Sequence, residues 1–311
     1  MIDETAMDLP YVLTHARVDP ILSKSFRNQQ VSTTENLSGI YWPAEHFRLH
    51  TDPTFNAATF VQKQEILRHC SASLLTEAYY IEKGGMFATS RMSLLSETLQ
   101  ERMLYSLFAS DEATHFYWIS QFTDEKLLGD YRENPFLVLL EEVSRTESKP
   151  VLTYLLQVVL EGWGIRHYHD LAKDCASASL RTVFENILKD EARHHGSGIV
   201  LANLKEFSAD NLDRLVAILQ KFLAMVQCGP QSVIAQLERV IGPLDFRERV
   251  NCFAQCDSEA QTQGKLDTLV DCMRTVKQSD VIIARLRSSG SLRAFTAQEC
   301  AAIAAPHEKV R

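Results

Sequence analysis

The chain has 311 residues, 45% of them hydrophobic, enough for a sizeable core in one large domain or two moderate ones. Its 32 Lys plus Arg against 40 Asp plus Glu leave a net charge of −8 with no basic run, which argues against non-specific binding to nucleic acid or to an anionic membrane. No apolar run approaches the roughly 18 residues of a membrane span. The start, Met1-Ile2-Asp3-Glu4, is acidic and is followed by no apolar stretch, so no secretory leader is expected. The seven cysteines are odd in number and contain no Cys-x-x-Cys. They read as reduced thiols of a cytoplasmic protein and offer no spacing for an iron–sulfur cluster or a zinc ribbon.

Residues 1–57 read as an irregular, short-helix extension that packs on the body, punctuated by Pro10, Pro20, Pro43 and Pro53. His46 and His50 are four apart and suit surface or capping roles, because no Glu-x-x-His pattern accompanies them. The first long helix is expected over 58–89. Its stripe Leu67, Cys70, Leu74, Glu77, Ile81 carries one carboxylate, with Glu82 nearby but off the stripe.

A second helix is expected over 91–122, with Tyr105, Phe108, Glu112, His115 and Ile119 in phase. A connection follows over 123–150, with Pro135 opening a short helix. A third helix over 151–173 carries Glu161 among Tyr154, Val158, Ile165, Tyr168 and Ala172. A fourth over 178–207 carries Glu191 and His194 among Leu180, Phe184, Ile187 and Leu201. The remainder, 208–311, stays helical, with candidate helices at 211–227, 231–241, 245–256, 261–276 and 278–288. Strand signals are scarce.

Two segments share the form Asp-Glu-x-x-His: Asp111-Glu112-Ala113-Thr114-His115 and Asp190-Glu191-Ala192-Arg193-His194. A Glu and a His three apart lie on one helix face. Four helices thus each place a carboxylate in a core-facing row. An unpaired buried carboxylate costs several kcal/mol, so four of them are most simply offset by bound cations. Four Glu and two His balance two divalent ions, and that oxygen-plus-imidazole set suits iron or manganese.

These residues resemble the ferritin-like di-iron carboxylate superfamily, in which two helices give one Glu each and two give Glu-x-x-His. The resemblance covers about 58–207 and implies an all-α, ferritin-like four-helix bundle with additional N- and C-terminal helices. It implies Glu77, Glu112, His115, Glu161, Glu191 and His194 as metal ligands, with gaps of 35 residues (77 to 112) and 30 residues (161 to 191) that suit two helix hairpins. It further implies Asp111 supporting His194 and Asp190 supporting His115, each Asp reaching across to the other motif. His195, beside His194, and His169, about two turns beyond Glu161, are the further candidate ligands. Ile187 stands where the p-aminobenzoate N-oxygenase branch has an extra His, which counts against that branch.

The implied activity is that of an O2-dependent non-haem di-iron oxygenase or oxidase, with no catalytic side chain beyond the ligands. Its cofactors are two Fe ions (manganese or a mixed Fe/Mn pair also fits), with O2 as co-substrate. The reaction on a small or medium organic molecule would be hydroxylation, N-oxygenation, desaturation or C–C cleavage. The extra length for walling a pocket, the glycines at 84, 85, 162 and 164, and the absence of rubredoxin-like cysteines favour an organic substrate. The alternatives are a ferroxidase or peroxidase handling iron or peroxide, and a non-catalytic helical protein whose buried charges are structural. Expected partners are the organic substrate and a separate electron-donor protein, with neither nucleic acid nor membrane; a homodimer is admissible.

Overall fold

The structure, a computed structural model, describes Met7, Leu9 and residues 18–26, 39–123, 128–257 and 259–304. Pro10 and Met1–Glu4, which mark the predicted N-terminal extension, lie outside the described residues. Every regular element among the described residues is helical. In chain order the α-helices are α1 (Asp19–Ser25), α2 (Pro53–Ala57), α3 (Phe60–Leu94), α4 (Leu99–Ser120), α5 (Pro135–Thr146) and α6 (Lys149–Leu152). A π-helical segment, Thr153–Leu160, then runs without a break into α7 (Glu161–Asp174), and α8 (Ala178–Ala202) follows. The chain closes with α9 (Ala209–Gln227), α10 (Gln231–Ile241), α11 (Phe246–Cys256), α12 (Glu259–Arg274), α13 (Ser279–Ser288) and α14 (Ala297–Ile303).

Local chemistry sets the starts. Thr59 and Gln62 form a reciprocal capping box on α3, and Thr98 accepts from Glu101 N on α4. Asn134 caps α5 with Pro135 in its first turn, and Ser177 caps α8 by accepting from Leu180 N. The third predicted helix is therefore a composite, because eight π-helical residues precede Glu161. Runs of π-helix are rare and concentrate at functional sites. Helix α14 has a capping box, Thr296 with Glu299, that the apolar periodicity did not reveal.

Helices α3, α4, α7 with its π-helical lead-in, and α8 form a four-helix bundle. Along the bundle lie two apolar cores with a polar layer between them, and a smaller cluster of Met7, Tyr131, Leu137 and Leu140 lies beside α5. Along α3, Ile66, Leu75 and Ala78 belong to the first core and Met92 to the second. Along α4 the order reverses: Tyr105 and Phe108 lie in the second core, Phe116 and Ile119 in the first. The π segment and α7 run the same way as α4, from Val158 to Tyr168 and Leu171. Helix α8 starts in the first core with Leu180, Phe184 and Ile187, and ends in the second with Ala202. So α3 and α8 run opposite to α4 and α7, and each bundle helix crosses the polar layer once.

The segments outside the bundle share these cores. Trp42 and Phe47 from the N-terminal side, with Ile234 and Phe253 from α10 and α11, complete the first core. Leu219 and Phe222 of α9, Leu269 of α12 and Ile282 of α13 complete the second. Trp42 is fully buried, and its indole donates to Leu171 O at 2.9 Å. No helix among the described residues is long and apolar enough to cross a membrane.

Candidate metal centre

The polar layer contains Glu82, Glu112, His115, Glu161, Glu191 and His194. Glu82, Glu112, His115 and Glu191 each offer a ligand atom, all within 4.8 Å of one another, and Glu112, Glu161 and His194 form a second such group. Both histidines are fully buried. Their rings present Nδ1 to the carboxylates. His115 Nδ1 lies 3.2 Å from Glu82 Oε2 and 3.7 Å from Glu191 Oε1. His194 Nδ1 lies 3.3 Å from Glu112 Oε1 and 4.0 Å from Glu191 Oε2. Glu82 is thus paired with His115, Glu161 with His194, and Glu112 and Glu191 stand between the two.

The other ring nitrogens cross over. His115 Nε2 lies 3.2 Å from Asp190 Oδ2, and His194 Nε2 lies 3.2 Å from Asp111 Oδ2. A carboxylate there accepts the Nε2 proton and turns Nδ1 towards the cluster, where a bound cation would take its lone pair in place of a proton. Arg193, which is exposed, ties the two aspartates together, with Nη2 at 2.6 Å from Asp111 Oδ2 and 3.0 Å from Asp190 Oδ1. Its position in the sequence, three after Asp190 on a helix, is the signal that could have identified this clamp.

Glu77 is the expected ligand that the structure does not bring into the layer. Its carboxylate instead accepts from Asn134 Nδ2 at 3.1 Å, on the wall of an adjoining cavity. Glu82 occupies the corresponding place, fully buried and holding the hydroxyl of Tyr168 on its Oε1. The row of α3 that faces the bundle interior is Leu67, Ser71, Leu75, Ala78, Glu82, one residue displaced from the predicted row. Helix α3 is covered both by the bundle and by α5 and α10, so apolar residues appear on more than one face. The predicted row Leu74, Glu77, Ile81 is the half-buried face beneath that second cover. A signal was present: Glu82 to Glu112 and Glu161 to Glu191 are both 30 residues apart.

His195 and His169, the two further candidates, point elsewhere. His195 Nδ1 donates to the carbonyl of Gln157 in the π segment at 2.9 Å. His169 is exposed beside Asp170. The glycines also divide. A Cβ on Gly85 would stand 2.3 Å from Glu112 Oε2, so only glycine lets that carboxylate approach α3. A Cβ on Gly162 would meet the His195 ring at 2.7 Å, outside the polar layer, whereas Gly164 opens on space. Glu101, in phase with Glu112, pairs with Lys149.

Without a cation the layer is electrostatically unbalanced. Burial, with the neighbouring carboxylates added, pushes Glu191 well above the usual carboxylate range, and burial pushes Glu161 up to about 8. Burial opposes a charged ring at His194, yet the Asp111 and Glu112 carboxylates beside it lift it to about 11. At His115 burial is likewise overcome by Asp190 and Glu82, and the pKa is raised well above its ordinary value. Of the buried side-chain atoms left without a well-formed hydrogen bond among the described residues, two belong to the layer: Glu161 Oε2, and His194 Nδ1, whose nearest carboxylate oxygen is Glu112 Oε1 at 3.3 Å. Both face the layer, and buried polar atoms are seldom left so. A cation between the carboxylates and the Nδ1 atoms would satisfy both at once, so the donor set fits bound metal.

A cavity of about 780 Å³ opens directly on Glu82, Glu112, Glu161 and Glu191. Its walls come from α3, α5, the π segment with α7, α9 and α10, and are largely apolar, including Leu137, Leu140, Leu156, Trp163 and Phe222. No protein-family model matches the chain, and comparison with curated proteins and with solved structures returns no match.

Proposed function

We propose that this chain is an O2-dependent di-iron oxygenase or oxidase of the ferritin-like kind, acting on a small or medium organic molecule. The observation that carries this reading is the continuity of the cavity with the cluster: four candidate ligand carboxylates form part of the wall of a space large enough for an organic substrate. Glu82 with His115 would hold one ion and Glu161 with His194 the other, with Glu112 and Glu191 shared. Two ferrous ions held there would supply the electrons for O2 reduction and the oxidising power for a nearby C–H or N–H group.

The chain's own residues orient and shelter that chemistry. Asp190 and Asp111 fix the tautomer and tilt of His115 and His194. Tyr168 holds the outer oxygen of Glu82, which keeps the inner one turned to His115. The apolar walls limit water beside the oxidising centre, which protects reactive species from side reactions. Gln157, beside Glu161 on the cavity wall, accepts from Tyr105 at 2.8 Å and keeps its amide nitrogen unpartnered. The cysteines are all free and are not arranged as a cluster site, so the reductant is a separate protein in this reading.

The test is O2 uptake by protein reconstituted with ferrous iron. Candidate organic substrates should stimulate uptake and be recovered oxidised. Gly164 lines the cavity with nothing within 4 Å of an added Cβ, so Gly164→Phe should fill that space without disturbing the layer. Loss of substrate-stimulated uptake in Gly164→Phe, with iron oxidation retained, supports the oxygenase. If uptake follows iron alone in both proteins and no organic compound changes it, the ferroxidase alternative replaces this reading.

A further inference from the structure

Glu77, once removed from the metal layer, has no function in the centre just described, yet it is a carboxylate inside a mostly apolar cavity. Its only hydrogen-bond partner among the described residues is the neutral amide of Asn134, which engages one oxygen, Oε2. No lysine lines the cavity, and its one lining arginine, Arg239 on α10, is exposed. No salt bridge to Glu77 is formed within the described residues. Burial accordingly raises its pKa, with Asn134 acting in the opposite sense. A carboxylate in such a place is costly unless a cation meets it.

Asn134 is itself fixed. Its Oδ1 caps α5 by accepting from Phe136 N at 3.0 Å, so its amide nitrogen is aimed at Glu77 by the start of that helix. The carboxylate is thereby held with Oε1 left for a ligand. Glu133, the residue before Asn134, lines the same cavity, as do Asp130, which pairs with Arg132, and Glu238, which pairs with Arg249.

The position along the bundle sets a distance. Glu77 precedes Glu82 by five residues on one continuous helix, which places it about 7.5 Å along the axis from the metal layer, towards the first core. A ligand group held at Glu77 therefore leaves the rest of its molecule to run back along the apolar wall to the layer.

We propose that Glu77, oriented by Asn134, anchors a protonated amine of the substrate, so that the substrate class is a largely apolar primary or secondary amine oxidised at an atom remote from its nitrogen. This rests on the oxygenase reading for its chemical consequence; the amine anchor itself is a binding property. The probes are n-octylamine, 1-octanol and octanoate, which share a chain and differ in head group. Binding to protein loaded with ferrous iron under anaerobic conditions is measured by titration calorimetry, with metal content measured in parallel.

Octylamine is expected to bind at least about tenfold more tightly than octanol or octanoate, a difference of roughly 1.4 kcal/mol. Glu77→Gln, nearly isosteric, should bring octylamine down to the octanol level, with octanol affinity and metal content unchanged. A wild-type protein that binds octylamine no better than octanol overturns the anchor, and that result needs no variant to fold. An amine preference that survives Glu77→Gln intact overturns it as well, since the amine would then sit on another carboxylate. The two readings fail separately. A chain that holds no metal but shows a Glu77-dependent amine preference loses the oxygenase reading and keeps the anchor. A chain that holds two metals without that preference does the reverse.

Discussion

Asp190 Oδ2 stands 3.2 Å from Nε2 of His115, a residue 75 positions earlier on another helix. The pairing ties α8 to α4 and fixes the ring that faces the carboxylates, and Asp111 does the same for His194. Supporting carboxylates of this kind typically change metal affinity by about 10–100-fold. Asp190→Asn is therefore expected to weaken metal binding by that order and to leave helix content intact, with the ion on the His115 side lost first. Competitive titration with a chelator measures this; an unchanged metal affinity in both Asp111→Asn and Asp190→Asn would falsify the supporting role.

The exchange of Glu77 for Glu82 has a direct test. Glu82→Ala should lower bound metal from two ions per chain to one or fewer after reconstitution. Glu77→Ala should retain two, because its carboxylate is on the cavity wall and bonded to Asn134. Elemental analysis of the two variants decides, and the opposite ranking would restore Glu77 as the ligand.

The close approach at Gly85 predicts a steric effect. Gly85→Ala puts a methyl 2.3 Å from Glu112 Oε2 and must displace that carboxylate or bend α3. Strain of this kind costs roughly 1–3 kcal/mol, and metal content should fall with it. Gly164→Ala meets nothing within 4 Å on a helix, so it should be neutral or stabilising by up to about 1 kcal/mol. Chemical denaturation curves for the pair test this, and equal stabilities would remove the close-approach argument.

His195 is expected to matter for stability and not for metal. Its Nδ1 satisfies the Gln157 carbonyl, and removing a donor from a part-buried carbonyl costs about 1–3 kcal/mol. His195→Ala should lower the unfolding midpoint while two ions per chain remain bound. Loss of one ion in this variant, with stability unchanged, would make His195 a ligand.

The protonation of the layer predicts opposite pH trends with and without metal. Glu161 has a folded pKa raised from its ordinary 4.5 to about 8, so the folded chain keeps a proton that the unfolded chain releases. Its contribution is fully present below about 4.5 and is lost as pH rises towards 8. His194, raised from 6.5 to about 11, contributes below 6.5 and loses that contribution as pH climbs towards 11. Metal-free protein should thus melt at progressively lower temperature between pH 5 and 9. Metal competes with those protons, so the rise in melting temperature on adding ferrous or manganous ion should grow over the same range. A metal-induced stabilisation that shrinks with rising pH would contradict ligation by these groups.

Much of this centre is legible in the chain. The Glu and His three residues apart in 112–115 and 191–194 share a helix face whatever surrounds them, because helical geometry alone fixes their relation. The start of α8 at Ser177 and of α5 at Asn134 and Pro135 follows from capping chemistry that acts over a few residues. The absence of strands among the described residues follows from the same periodicity. What periodicity did not decide is which face of α3 meets the other three bundle helices. A helix covered by the bundle on one side and by α5 and α10 on another carries apolar residues on both, so Leu74-Glu77-Ile81 and Leu75-Ala78-Glu82 are equally good rows on paper. Only packing chooses: the second row closes on His115, and the first lines a cavity and leaves Glu77 beside Asn134. The same holds for His195, whose ring meets the carbonyl of Gln157 in the π-helical segment and not the carboxylates of the layer.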